Sequence, residues 1–205
     1  PGVMRSSPAG GPSQDASVQE VCRAVGTPVE VRHDYDGKTA GGGPGSRRSN
    51  GDDPFNLRNR FCVEQCYVFP QALAEIRSGR KTGHWSWFIF PTAPFVVDGE
   101  ERGSSMNREY CLRDPPPNDL RGDEAARAYL RFSSDGVDLR ANYIAMMTAV
   151  AEQLESGKTL EGLVGFLDDP KLRSSLDLFE RASGGGFDDE VHALCRRVLA
   201  AAGPP

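Results

Sequence analysis

Arg80, Lys81 and His84 lie close together in the chain, and Trp85 and Trp87 follow at once. They belong to the stretch GRKTGHWSWFIFP, residues 79–91, where a cationic, hydrogen-bonding half runs directly into an apolar half that Pro91 terminates. Cationic side chains suit a phosphate or a carboxylate, and arginine grips either with a planar fork. Trp85 or Trp87 offers a ring on which a base could stack. Lys171, Arg173, Ser174 and Ser175 form a second cluster early in a predicted helix, where backbone N–H groups also favour anions. With the hydroxyls of Ser104 and Ser105, these residues make a candidate anion site. The competing reading is structural. Arg80 and Lys81 then follow a helix C-terminus and complement its dipole, His84 is a buried hydrogen-bonding residue, and the serines are polar packing.

Nucleophilic catalysis finds less support. The histidines are His33, His84 and His192, and a triad would have to use His84, oriented by Glu75, Asp168 or Asp169. No nucleophile-elbow glycine pattern surrounds a serine or cysteine. The adjacent pairs Asp168/Asp169 and Asp188/Asp189 each precede a predicted helix, where capping accounts for them. GSRRSN and SGGG lack the GK[ST] of a phosphate loop. Cys62 and Cys66 are spaced i, i+4, but no second ligand pair accompanies them, so the reading is no metal and no cofactor. The five cysteines read as reduced thiols of an intracellular chain, several of them acting as small buried hydrophobes. The balance leans away from an enzyme.

The elements that must position these residues read as helices. Asp53-Pro54 is a helix-start signal, and helical periodicity carries through FNLRNRFCVEQCYVF. Pro70 is expected to restart a second helix that ends at Gly79. Further helices are predicted in GDEAARAYLRF, in VDLRANYIAMMTAVAEQLESG, in the short TLEGLVG, after Asp169-Pro170 and after Asp188. Tyr143, Met147, Val150 and Leu154 form the inward stripe of the longest one. No strand alternation stands out. The fold class is therefore all-α, an irregular bundle of six or seven helices spanning residues 53–202, with a long irregular loop at 92–120.

Residues 1–52 read as a Gly/Pro/Ser-rich, largely irregular extension that holds ten of the 23 glycines, with a short helix near DASVQEVCRAVG and an extended piece at TPVEVRHDY. It is either a plain flexible tail or a tether that orders on a partner. Removing it from the average raises the apolar content of the rest, so a mean hydropathy of −0.48 is still compatible with a normal core. A net charge of −5 disfavours general nucleic-acid binding. No apolar run reaches the length of a membrane span.

Several blocks in order carry a family resemblance: DPFNL at 53–57, Arg60-Phe61, QALAEIRSGRKTGHWSWFIFP, EAARAYL and KLRSSLDLF. Over about residues 53–199 the chain resembles the uncharacterised, mainly bacterial all-helical domain family often mislabelled "calpastatin". The resemblance implies a compact helical domain with no assigned activity or cofactor, and it does not imply protease inhibition. The chain departs from the family pattern at Thr92, where glutamine is usual, and in the expanded stretches 93–103 and 113–122. The His-Pro pair usual after the AYL helix is missing beyond Leu130.

The leading functional expectation is a non-enzymatic accessory or scaffold subunit that docks on other protein subunits through its extension and enlarged loop. Pro94, Phe95, Pro115 and Pro116, in the rigid segments PTAPF and DPPPND, are its candidate partner contacts. The extension and the missing leading methionine direct the expectation of compartment to an organelle, a plastid photosynthetic complex, with the cytoplasm as the alternative. The alternative function is a small-molecule enzyme or sensor that binds a phosphorylated or nucleotide-like ligand near His84.

Overall fold

The computed structural model describes residues 53–204; the expectations for the extension lie outside them. The domain opens on Asp53, whose carboxylate accepts hydrogen bonds from the N–H groups of Leu57 (2.7 Å) and Arg58 (2.9 Å). That acceptor satisfies donors that a helix start would otherwise leave bare. A π-helical turn, Arg58–Cys62, then runs into α1, Val63–Arg77. Pro70 lies inside α1 and does not divide it. Burial of Gln65, Ala72 and Ile76 on both sides of the proline keeps one continuous helix in place despite the missing N–H.

The remaining helices are α2 (Ser86–Ile89), α3 (Ser105–Tyr110), α4 (Asp123–Tyr129), α5 (Leu139–Glu155), α6 (Leu160–Val164), α7 (Asp169–Ser183) and α8 (Asp189–Ala202). The chain is mostly helical, as its periodicity predicts. Two small antiparallel hairpins complete it, where the sequence shows no strand alternation. Strand β1 (Val96–Val97) pairs with β2 (Glu100–Glu101), and β3 (Ser133–Ser134) pairs with β4 (Val137–Asp138). The first hairpin and α3 give order to a region expected to be one irregular loop.

Helix α5 is the core element. It packs against α1 and α8, while α7 packs against α8 and α4. Tyr143, Met147, Val150 and Leu154 are all buried, joined by Met146, Ala149 and Ala151. An aromatic chain crosses the interior: Phe61 to Tyr129 (5.3 Å between centroids), Tyr129 to Phe179 (5.4 Å) and Phe179 to Tyr143 (4.2 Å). Each such ring contributes on the order of 2 kcal/mol by leaving water. Arg140 on α5 grips Asp188 with two nitrogens at 2.6 and 2.9 Å, and Asp188 also caps α8 through the N–H of Val191. The burial just described closes the bundle, and this clamp fixes where α8 begins.

Candidate functional site

The segment 79–91 is folded back over the end of α1 by one carboxylate. Gly79 leaves the helix at φ 90, a conformation open to glycine but strained for other residues, and its N–H bonds to the Ile76 carbonyl. Glu75 then accepts the N–H groups of Thr82 and Gly83 (2.8 Å each) and the indole N–H of Trp85 (2.9 Å) through one oxygen, and the Gln71 amide (2.8 Å) through the other. Burial alone would raise this carboxyl. The Gly83 and Thr82 N–H groups, the Trp85 indole and the Gln71 amide outweigh burial and hold it at about 2.

The loop so formed places Lys81. Its N–H bonds to the Leu163 carbonyl at 2.7 Å, tying the loop to the end of α6. Its Nζ donates to the Gly83 carbonyl (2.7 Å), pairs with Asp168 (2.6 Å) and stands 5.0 Å from the centroid of the Trp85 ring. Only 8% of this side chain is exposed. Asp168 precedes α7 yet caps nothing with its side chain, so the capping account of the Asp168/Asp169 pair fails there. Its carboxylate serves Lys81, and that of Asp169 serves Arg173 at 2.7 Å.

Lys171, in the first turn of α7, completes the cluster. It is half-buried with Nζ over the face of Trp87. Burial pushes the amine down to about 7; Asp168 opposes that shift and Lys81 adds to it. Lys81 pairs directly with Asp168 and lies by Trp85, while Lys171 lies over Trp87 and feels the charges of both Asp168 and Lys81. Phe166 (73% exposed) and Leu167 (85% exposed) stand immediately before that carboxylate in the chain.

Other expected members of the site lie elsewhere. Arg80 and His84 are exposed, so His84 is not the buried residue of the structural reading, and Glu75 and Asp168 are committed to Trp85 and Lys81 rather than to it. Trp85 is buried edge-on against Phe90, with centroids 5.5 Å apart, and has no free face for a base. Arg173 donates to the carbonyls of Gly203 (2.8 Å) and Ala202 (3.4 Å) and pins the end of α8. Ser175 is fully buried, its hydroxyl beside the Tyr143 phenol. Ser104 caps α3 in a reciprocal pair with Asn107.

Ser174 faces a different opening, a shallow depression of about 630 Å³ that it lines with Pro94, Phe95, Val96, Leu120 and Arg181. Pro94 is buried, whereas Phe95 is 53% exposed and Pro115 and Pro116 are exposed nearby in the chain. One residue of the expected anion cluster thus joins two of the expected docking residues.

Thiol chemistry has no support here. Cys62, Cys111 and Cys195 are buried, and burial pushes Cys62 and Cys195 up to about 12, so these thiols are inert at neutral pH. Cys66 is disulfide-bonded, and the expectation of five reduced thiols is withdrawn at that residue. Among the described residues, no three His, Cys, Asp or Glu side chains converge as a metal site, and no helix is long and apolar enough to cross a membrane.

A family model described as "Protein of unknown function (DUF1810)" matches residues 54–199. The chain is also similar to a solved structure, the conserved hypothetical protein Rv1873 from Mycobacterium tuberculosis, at 30% identity and a TM-score of 0.56. That match covers 73% of this chain and 91% of the other. No curated protein matches the sequence. Both findings support an uncharacterised family, and neither carries a link to calpastatin.

Proposed function

The chain belongs to the DUF1810 family of proteins of unknown function, a membership that brings no activity with it, and we propose that this member binds a small anionic ligand at the Lys81–Lys171 cluster. The observation that carries the reading is that two lysine amines, Lys81 and Lys171, act on each other's charge with, among the described residues, only Asp168 paired to them, on a chain whose net charge is −5. A cationic spot on an acidic molecule concentrates anions locally. Lys81 is already oriented by Gly83 and Asp168, which lowers the entropy cost of engaging a ligand. Stacking of a base on Trp85 is not part of this reading. Phe166 and Leu167 offer apolar contact instead, so the ligand is small and anionic with a short hydrocarbon portion rather than a nucleotide.

Sulfate, whose charge is constant near neutral pH, is the probe for titration calorimetry. The protonated Lys171 amine attracts it and the neutral amine does not. Binding therefore weakens as pH rises through about 7, by about tenfold for one lost charge contact. Lys171→Arg keeps binding and loses the pH step, and Lys171→Met binds about tenfold more weakly than Lys171→Arg on both sides of it. Absence of sulfate binding on the acid side of the step overturns the reading.

A second reading keeps the docking role. The exposed Phe95 and Leu120, which line the 630 Å³ depression, support a non-enzymatic accessory subunit that contacts other proteins, in an organellar complex by the composition of its extension.

A further inference from the structure

One face of α1 is apolar and open to solvent. Val63, Tyr67, Pro70 and Ala74 recur at i, i+4, i+7 and i+11, and all are exposed, Tyr67 by 61%. Apolar residues at that spacing normally mark a face that another element covers. Cys66 precedes Tyr67 and lies one turn from Val63 and Pro70, partly buried at the edge of the same stripe. Its sulfur is in a disulfide, whereas the thiols of Cys62, Cys111 and Cys195 are free and buried. Of the five cysteines, that leaves Cys22, in the extension. We propose that the segment 15–26, DASVQEVCRAVG, covers this face: it docks on α1 as a helix and is locked there by a Cys22–Cys66 disulfide.

The segment carries the matching pattern. Val18, Val21, Cys22 and Val25 lie at i, i+3, i+4 and i+7, one apolar stripe with the cysteine inside it. Asp15 supplies a cap and Gly26 a stop. A disulfide brings two Cα atoms to within about 7 Å, closer than the roughly 8–10 Å between the axes of packed helices. A bridge from Cys22 to Cys66 therefore sets the valines against Val63, Tyr67 and Pro70. The chain is long enough to make the return. Residues 27–52 span up to about 85 Å when extended, several times the roughly 22 Å length of α1. Burial of the facing stripes and the covalent link favour the same arrangement, so each raises the population of the other.

Locking is a thiol–disulfide exchange, and its oxidant is a low-molecular-weight disulfide such as oxidised glutathione. One cysteine thiolate attacks a sulfur of the oxidant, forming a mixed disulfide as the first oxidant thiolate leaves. The second cysteine thiolate attacks the protein sulfur of that mixed disulfide, which makes the Cys22–Cys66 bond and expels the other oxidant thiolate. The two cysteines lose two electrons, the oxidant is reduced to two thiols, and the two protons given up by the cysteines end on those thiols. Cys62, Cys111 and Cys195 are buried and take no part. Reduction runs the same exchange backwards and uncovers the face of Val63 and Tyr67.

The test equilibrates the full chain in glutathione buffers of graded oxidised-to-reduced ratio, quenches with acid, alkylates the free thiols and maps the cysteine peptides by mass spectrometry. The expected product joins Cys22 to Cys66 within one chain. Docking is read from the equilibrium constant of that bridge. Val18→Ser and Tyr67→Ser, one on each stripe, should each lower it about tenfold. Ala16→Ser, on the opposite side of the segment, should leave it unchanged. Tyr67 is exposed and Val18 lies outside the domain, so both variants keep the fold. Cys66 bridged to a second chain, or left unbridged in the oxidised buffers, overturns the proposal. A Cys22–Cys66 bridge whose equilibrium constant is the same in all three variants overturns the docked helix.

Discussion

A single carboxylate, Glu75, determines whether the lysine–tryptophan loop exists as a site. It receives two backbone N–H groups, an indole and an amide, and its carboxyl is held at about 2. Glu75→Ala should leave the Thr82 and Gly83 donors without their acceptor and cost about 1–2 kcal/mol, a figure reduced for partial exposure. Urea melts of the variant and the natural chain at neutral pH measure it. The folded carboxyl titrates below its ordinary value of 4.5, so its contribution is fully present above that value. It is lost as pH falls from 4.5 towards about 2, and the two melting curves should converge over that window. Equal stability of the two chains at neutral pH would remove Glu75 from its organising role. Sulfate titration of the same variant reports separately whether Lys81 has lost its place.

At the scale of elements, short local devices set the loops against the helices. Gly122 precedes α4 at φ 75, and a Cβ there would meet the Leu112 carbonyl and the Ala93 side chain. Gly122→Ala therefore combines a left-handed backbone with a clash against main chain, and it should cost about 2–4 kcal/mol by thermal or urea melting; a loss below about 0.5 kcal/mol would mean that the loop yields freely. Helix periodicity made the bundle legible, because α5, α7 and α8 each bury one regular face. The hairpins were equally present in the sequence as Asp98-Gly99 and Asp135-Gly136, both residues of each pair at positive φ. Two-residue strands are too short for alternation to register, so the turn dipeptide was the usable signal. Pro70 does not restart the helix because proline is a local signal, whereas the packed face of α1 is set by tertiary structure. The site was half legible for a related reason. Residue type brought out Lys81 and Lys171. Lys171, Arg173, Ser174 and Ser175, however, fan around α7 by about 100° per residue, so they face different surroundings and cannot share one ligand. Asp168 read as a cap because only the folded loop brings Lys81 within its reach.

On the whole molecule, the two candidate surfaces differ in chemistry and so can be separated. The Lys81–Lys171 cluster is cationic and partly buried, and suits a small ligand. The ridge of Phe95 and Val97, carried on the first hairpin next to Leu120, is apolar and exposed, and suits a protein surface. Scattered exposed apolar residues are ordinary, but here two of them, Phe95 and Leu120, line one depression, and Arg181 at its edge is bound to Asp123 at 2.6 Å. That pair holds α7 to α4, so the rim is rigid and a partner would meet a preformed shape. If the subunit reading is right, the chain in a native extract elutes well above its own 22.3 kDa. Phe95→Glu places a charge at the centre of the contact, costs on the order of 2 kcal/mol or more of association, and should return the chain to its monomer position. Sulfate binding in that variant should be unchanged, since Phe95 touches neither lysine's described partners. Elution of the natural chain as a free monomer of about 22.3 kDa from native extract would end the subunit reading and leave the lysine cluster as the one functional surface still standing.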